Sequence, residues 1–481
     1  MTRALRWAML AAAAVALLAS ALSAGVRTTY GGQAAVDEPQ YLLSALSLWE
    51  DRSLDISDEL ADQRWRDFHD LALPVQTEVL DGGRQVSPHD PLLPVLLAVP
   101  MGLGGWLAAK LALAGLAAAI AALTVWVAAR RFGVTPWLAG AGTALVFASP
   151  PLAVYGSQVY PELPASGAAL VAVAAATGPM HRRGLLAVAA AVVALPWLSV
   201  KYAPVAAVIA ALVLWRLART GQGRSAAGLA AGLGVAGLAY LGLHRLWWGG
   251  WTVYASGDHF EQTGELSVMG VSPDLAGRST RLVALLVDRS YGIAAWAPVW
   301  LLAVVALAAL ARRQPAGTGL LLLPVAAGWS VATWAAYTMH GFWWPGRQLV
   351  VVLPLVLIAV LWWSGQIAGP RLRAAAGVLG VVGVVATVTL LVDGRARELT
   401  WVTGFEGVDN PLYGWTRALL PDYRAPGTGM WLRHAVWIAV LVALAVVGWR
   451  QARVGPGRGA RSAPKSSAPD GPVSTTELTS V

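Results

Sequence analysis

Apolar residues run in long blocks along the chain, broken by short polar segments that alternate between basic and acidic character. The first block, Trp7 to Val26, is long enough as a helix to cross a hydrocarbon core of about 30 Å. Blocks of similar type recur near 106–129, 136–150, 163–179, 185–199, 203–218, 226–246, 291–311, 318–339, 348–366, 374–392 and 432–449. The pattern predicts an all-α polytopic membrane protein of about twelve transmembrane helices. Its transmembrane domain takes in 1–455, with loops near 27–105, 247–290 and 393–431. The Arg/Gly/Pro/Ser-rich segment 456–481 cannot build a core and is expected to be a disordered cytoplasmic tail. Ala19-Ser20-Ala21-Leu22-Ser23-Ala24 resembles a cleavage site, but the apolar stretch exceeds a usual signal core, so an uncleaved first helix is expected.

Within the first polar loop, Leu42, Ala45, Leu46 and Trp49 recur at helical spacing before Glu50, Asp51 and Arg52. That spacing predicts an amphipathic helix lying in the membrane interface, with Trp49 at headgroup depth. The run Pro91 to Gly102 is too short to span and predicts a second surface helix or re-entrant turn.

Composition agrees with this class. Of 481 residues, 57% are hydrophobic and 13% charged, where soluble domains carry about a quarter charged. Mean hydropathy is +0.58. There are no cysteines, which excludes disulfides, thiolate metal sites and cysteine nucleophiles. The net charge of +9 invites a nucleic-acid reading, but the basic residues are scattered over short loops between apolar blocks. They stand at Arg3/Arg6, Arg130/Arg131, Arg182/Arg183, Arg216/Arg219/Arg224, Arg312/Arg313, Arg371/Arg373 and from Arg450 onward. The positive-inside rule explains that alternation, so no nucleic-acid partner is expected. The basic loops and both termini then face the cytoplasm. Of 26 Asp and Glu, only Asp470 and Glu477 fall in the tail. The Arg- and Ala-rich composition fits a GC-rich bacterial genome, hence a bacterial plasma membrane.

The candidate chemistry begins at Val36-Asp37-Glu38-Pro39-Gln40-Tyr41, two adjacent carboxylates just outside the first span. An acid there can meet a lipid-linked substrate on one side and a water-soluble acceptor on the other. The competing reading makes Asp37 the cap of the interface helix, with Pro39 in its first turn. Further along lie Ser87-Pro88-His89-Asp90-Pro91-Leu92-Leu93-Pro94, Val159-Tyr160-Pro161-Glu162-Leu163-Pro164-Ala165, Asp288-Arg289-Ser290-Tyr291-Gly292 and Trp343-Trp344-Pro345-Gly346-Arg347. All fall on the side assigned as external.

In order and placement these pieces resemble the GT-C superfamily of membrane glycosyltransferases, including protein O-mannosyltransferases and aminoarabinose transferases, over most of the chain. The resemblance implies a long first extracytoplasmic loop with an essential acid, a polyprenyl-phosphate-sugar donor and inverting transfer to a hydroxyl. Asp37 would be the general base, with Glu38 positioning the acceptor or completing its network. The resemblance also implies an external cation for the donor phosphate. Arg347 is the first choice and Lys201 the second, one of three lysines in the chain with Lys110 and Lys465. Arginine can hold phosphate oxygens by paired hydrogen bonds, whereas Lys201 has headgroup snorkelling as its competing role. His89, Asp90, Glu162 and Tyr202 are assigned to the substrate cavity. Asp90 before Pro91 also suits a turn, and Glu162 suits a helix start.

No cofactor is expected. There is no Asp-x-Asp pair; Asp258-His259 with Glu261 is a short acid–imidazole cluster that could ligate a cation, but a solvated loop is the favoured reading, and a divalent ion is left open. No Walker A motif or cytoplasmic nucleotide-binding domain is present, which disfavours a nucleotide-sugar donor. The expected partners are membrane lipids, the lipid-linked sugar and a hydroxyl acceptor in the cell envelope. Two alternatives are a multi-span lipid or solute transporter and a non-catalytic relative acting as an assembly partner. A transporter would more often show two similar halves, and none is evident.

Overall fold

The computed structural model describes residues 1–74, 76–253, 273–402, 408 and 411–452. The Asp258–His259–Glu261 cluster and the 456–481 tail lie outside these residues, as does part of each later loop. Helix dominates the described residues, and the strands are β1 (Glu78–Val79) and β2 (Gln85–Val86), an antiparallel pair in the first loop.

The main helices are α1 (Arg3–Ser23), α2 (Glu38–Glu50), α3 (Leu92–Phe132), α4 (Pro136–Phe147), α5 (Glu162–Ala176), α6 (Arg182–Leu198) and α7 (Ala203–Arg219). They continue with α8 (Gly223–Trp248), α9 (Leu302–Arg313), α10 (Thr318–Ser330), α11 (Leu353–Gln366), α12 (Pro370–Arg395) and α13 (Thr428–Gln451). Eight are long and apolar enough to cross a membrane, counting the turns that adjoin α7, α10 and α11. These are α1, α3, α7, α8, α10, α11, α12 and α13. The four others standing where spans were expected are shorter, α4 and α9 at 12 residues each, α5 at 15 and α6 at 17. A 12-residue helix rises about 18 Å, less than the hydrocarbon core. Pro and Gly crowd several of these segments, and Pro196 lies in the last turn of α6, whose C-cap is Ser199.

Position in the bundle follows from what each helix presents. α11 is apolar all round, and every residue from Leu353 to Ser364 is buried, as expected of a helix enclosed by others. α13 turns most of its apolar surface outward, as a helix facing lipid does. α13 also comes very close to α9, because Gly448 lies directly against the Val305 backbone. A Cβ there would collide with the Val305 carbonyl oxygen. Gly448→Val is therefore expected to cost about 1–3 kcal/mol through overpacking, read as a lowered thermal-unfolding midpoint of the purified protein.

α3 is not one straight rod. Gly104 and Gly105 leave helical geometry, the latter at φ 65, and divide an outer piece from the long span that follows. α2 packs on α3, with Gly102 beneath the Trp49 ring. Residues Glu38 to Ser47 of α2 are all buried, so α2 lies beneath other structure over that length, and Trp49 and Glu50, at its end, are exposed. The periodicity of Leu42, Ala45 and Leu46 marks only one of the faces that α2 buries.

The bundle has two distinct ends. At one, Gly178 lies against Arg131, Arg216 donates to the Ala176 carbonyl, and Arg313 donates to that of Ala452. The arginines there satisfy carbonyls left open at helix C-termini, a placement the helix dipole favours. The first loop and the N-termini of α5, α7 and the turn before α11 gather at the opposite end.

Candidate functional site

Asp37 sits at the N-cap position of α2, yet its side chain makes no capping hydrogen bond. Arg347 Nη2 donates to Asp37 Oδ2 at 2.9 Å instead. The carboxylate is turned away from its own helix and across to a residue 310 positions later. The residue before it, Val36, lies in the left-handed region at φ 61. For a β-branched residue that is an outlier costing on the order of 1–3 kcal/mol, the kind of strain that gathers at functional sites.

Four charged groups meet here. Arg347 Nε donates to Glu162 Oε1 at 2.8 Å, and Lys201 Nζ donates to the same oxygen at 2.7 Å. One carboxylate oxygen thus holds both cations, while Glu162 Oε2 is buried without a hydrogen-bond partner. His89 Nε2 lies 4.0 Å from Asp37 Oδ2. His89 Nδ1 is 2.8 Å from Ser87 Oγ, and its ring packs against Tyr41 at 4.5 Å between centroids. Exposure is graded across the group, from 0% for the Glu162 side chain and 9% for Arg347 to 19% for Asp37 and 24% for Lys201. Asp37 and Lys201 therefore form its open edge.

Each member is placed by local structure. Gly346, at φ 85, turns the chain so that Arg347 opens the span that continues as α11, and a Cβ on it would strike Ile293. The Arg347 guanidinium lies over the Tyr160 ring at 4.1 Å and near Trp343 at 5.3 Å, which fixes its plane. Glu162 is the first residue of α5, and Lys201 lies in the turn Val200–Tyr202 between α6 and α7. Burial pushes the Asp37 carboxyl up, but Arg347 beside it, with His89 and Lys201, outweighs burial and holds it below the ordinary 3.8.

The adjacent acid has a different setting. Glu38 is fully buried and accepts hydrogen bonds from Thr28 Oγ1, the Ala35 amide and the Val159 amide, with Lys110 Nζ at 3.8 Å. These partners anchor the turn before α2 to the segment leading into α5. Asp90 is likewise buried, taking the Val200 amide at 3.0 Å, Tyr240 Oη at 2.8 Å and His244 Nε2 at 3.0 Å. It connects the loop carrying His89 to the turn carrying Lys201. Tyr202 is buried with Lys201 Nζ 5.2 Å from its ring centre. Asp90→Ala is expected to destabilise the protein by about 1–3 kcal/mol, because Tyr240 and His244 lose their acceptor in a buried place. Chemical denaturation of the purified protein checks it.

Asp37, Arg347, Glu162, Lys201 and His89 are thus brought together, while Glu38, Asp90 and Tyr202 stand behind them. Tyr160 and Trp343 escaped the sequence reading as individual contributors, although both occur in the stretches Val159–Ala165 and Trp343–Arg347. A tryptophan next to a span reads first as interface belt, so only contact with Arg347 distinguishes Trp343. Two cavities, of 630 and 810 Å³, lie elsewhere and include none of this cluster.

No family model matches the chain, and no curated protein matches it. Among solved structures, the chain is similar to ArnT from Cupriavidus metallidurans. In its apo state that protein is 16% identical, with 94% of this chain and 76% of that one covered at a TM-score of 0.49. Bound to undecaprenyl phosphate it is 15% identical, with 92% and 74% covered at a TM-score of 0.47.

Proposed function

We propose that this chain is an inverting membrane glycosyltransferase of GT-C type, moving a sugar from a polyprenyl-phosphate donor to a hydroxyl on the extracytoplasmic face. The single observation that carries the reading is the turn of Asp37 away from its capping position into a pair with Arg347. It leaves an ionised, partly exposed carboxylate beside cations at an end of a membrane bundle.

In the proposed reaction the acceptor oxygen attacks the anomeric carbon as its proton passes to Asp37. A carbon–oxygen bond forms to the acceptor, and the bond from that carbon to the donor phosphate oxygen breaks. The leaving polyprenyl phosphate gains one negative charge while Asp37 loses one by protonation. Arg347, 2.9 Å from Asp37, can follow that charge, since its attraction to Asp37 weakens as its attraction to the phosphate grows. Lys201 at the open edge adds a second positive charge. Glu162 keeps the two cations together against their mutual repulsion. Glu38 and Asp90 serve as supports for the loop and turn that carry Asp37, His89 and Lys201. A cell-envelope glycan is the leading acceptor, with a glycolipid or protein hydroxyl as the other forms of the same chemistry.

The test is transfer by the purified protein in lipid nanodiscs, given radiolabelled polyprenyl-phosphate sugars and an envelope extract. Release of polyprenyl phosphate together with labelled acceptor is the expected result. Failure to bind any donor of the panel would overturn the reading and bring the transporter forward.

A further inference from the structure

At the arginine-rich end of the bundle, away from Asp37, a groove of 810 Å³ lies between α4, α11 and α12. Its polar lining residues are Thr135, Ser364 and Arg373, which stand where α4 begins, α11 ends and α12 begins. Every other lining residue is apolar or glycine. The groove is therefore amphipathic, with a polar mouth and an apolar interior that ends near Val146, Leu357 and Val385. From Arg373 to Val385 α12 rises about 18 Å, close to half of a hydrocarbon core of about 30 Å. That is the depth of one leaflet. Val378, Val381 and Val385 on the α12 wall are exposed, so the groove opens sideways to where lipid lies.

The mouth carries charge that the surrounding chain does not neutralise. Arg373 is exposed, and its Nε donates to the Ala368 carbonyl at 2.9 Å. The described connections at this end, 130–137, 177–183, 217–224, 312–318 and 366–373, contain arginines but no Asp or Glu. Arg216 and Arg313 lie in the last turns of their helices, where the dipole favours a cation. Arg373 instead lies in the first turn of α12, where the helix's own amides already add positive charge. Trp137, 75% exposed at the start of α4, places at the same level a ring of the kind that favours headgroup depth.

We propose that this groove binds one anionic phospholipid from the leaflet at the arginine-rich end, with its phosphate on Arg373 and an acyl chain between α4, α11 and α12. Basic pockets between spans attract anionic headgroups, and the terminal nitrogens of an arginine can hold phosphate oxygens directly. The polar mouth and the leaflet-deep apolar interior match the two parts of such a lipid. A second copy of this chain fits less well. Two copies in one membrane present the same end to the same side, so a partner would bring arginines rather than a carboxylate to Arg373. The groove is separate from the Asp37 cluster and does not depend on the transferase reading.

The experiment places the full chain in nanodiscs of phosphatidylcholine with an increasing share of phosphatidylglycerol. Native mass spectrometry counts the lipids that stay bound, and thermal unfolding is followed on the same samples. One retained phosphatidylglycerol per chain is expected for wild type, preferred about five-fold over phosphatidylcholine. The unfolding midpoint should rise with its share. Arg373→Gln should lose both the preference and the rise, whereas Arg373→Lys should keep them because it keeps the charge. Gly377 lines the groove, and a Cβ on it meets nothing within 4 Å. Gly377→Leu therefore has room to fill the groove and should release either lipid. Equal retention of the two lipids by wild type would overturn the proposal, as would an unchanged preference in Arg373→Gln or unchanged retention in Gly377→Leu. A dimer that keeps no lipid would assign the groove to a second copy, and displacement by an equal amount of polyprenyl phosphate would assign it to that lipid. Either result would overturn the choice of occupant.

Discussion

Asp37→Asn is expected to lower sugar transfer by roughly 10²–10⁴-fold while leaving lipid-donor binding within about two-fold, as loss of a general base does. Asparagine keeps the size of aspartate and can still accept a hydrogen bond from Arg347 Nη2. What it removes is the group that takes up the acceptor proton. Single-turnover transfer measured beside donor binding in nanodiscs separates these effects. Equal losses of binding and turnover would mean that Asp37 matters mainly as an anchor for Arg347.

The pH dependence follows from the same pair. Burial acts to raise the Asp37 carboxyl, but Arg347, His89 and Lys201 hold it below 3.8. Asp37 is thus ionised through the neutral range without help from substrate. A carboxyl lowered by folding stabilises the folded state above its unfolded value, and that stabilisation is lost as pH falls through the lower folded value. The acid limb of kcat/KM that belongs to Asp37 is therefore expected below 3.8, and any limb near neutrality belongs to another group.

Much of this site is legible in the sequence, because charged residues at the ends of apolar blocks are few. Asp37, Glu162, Lys201, Arg347 and His89 are all found by asking which polar groups stand just outside a span. What stays hidden is the direction in which each side chain points. Asp37 and Glu38 are adjacent and chemically alike, yet one turns to Arg347 and the other to Thr28, Ala35 and Val159. Successive positions at a helix start differ by about 100° in direction, so neighbours of one type reach different surroundings. Asp90 is a similar case, since its partners Tyr240 and His244 lie 150 and 154 residues away. The hydrophobic pattern also misjudges α2, because periodicity records which face is apolar and cannot tell lipid or headgroups from an overlying loop. That α4, α5, α6 and α9 are short is hidden as well, because how far a helix runs past local Pro and Gly depends on packing by neighbours.

Arg347→Ala carries the other large expectation, because it removes the one group bound to both carboxylates of the cluster. Glu162 would keep Lys201, at 2.7 Å, but Asp37 would keep only His89 at 4.0 Å and the more distant Lys201. Removing one partner of a buried ion pair costs about 3–5 kcal/mol, since the remaining charge stays desolvated. Arg289→Ala is the matched control. Arg289 pairs with Asp422 at 2.8 Å, but the two side chains are 29% and 22% exposed, so water compensates and the loss should be about 0–1 kcal/mol. Arg347→Lys separates charge from shape, because a lysine restores one positive charge without the fork that spans Asp37 and Glu162. Donor affinity is expected to fall most in Arg347→Ala, less in Arg347→Lys and least in Arg289→Ala. The acid limb should move upward in Arg347→Ala, since burial then raises the Asp37 carboxyl against fewer cations. Thermal unfolding, donor binding and a pH–rate profile on the same three variants check each step. Equal and modest effects at Arg347 and Arg289 would remove the basis for giving Arg347 the donor phosphate.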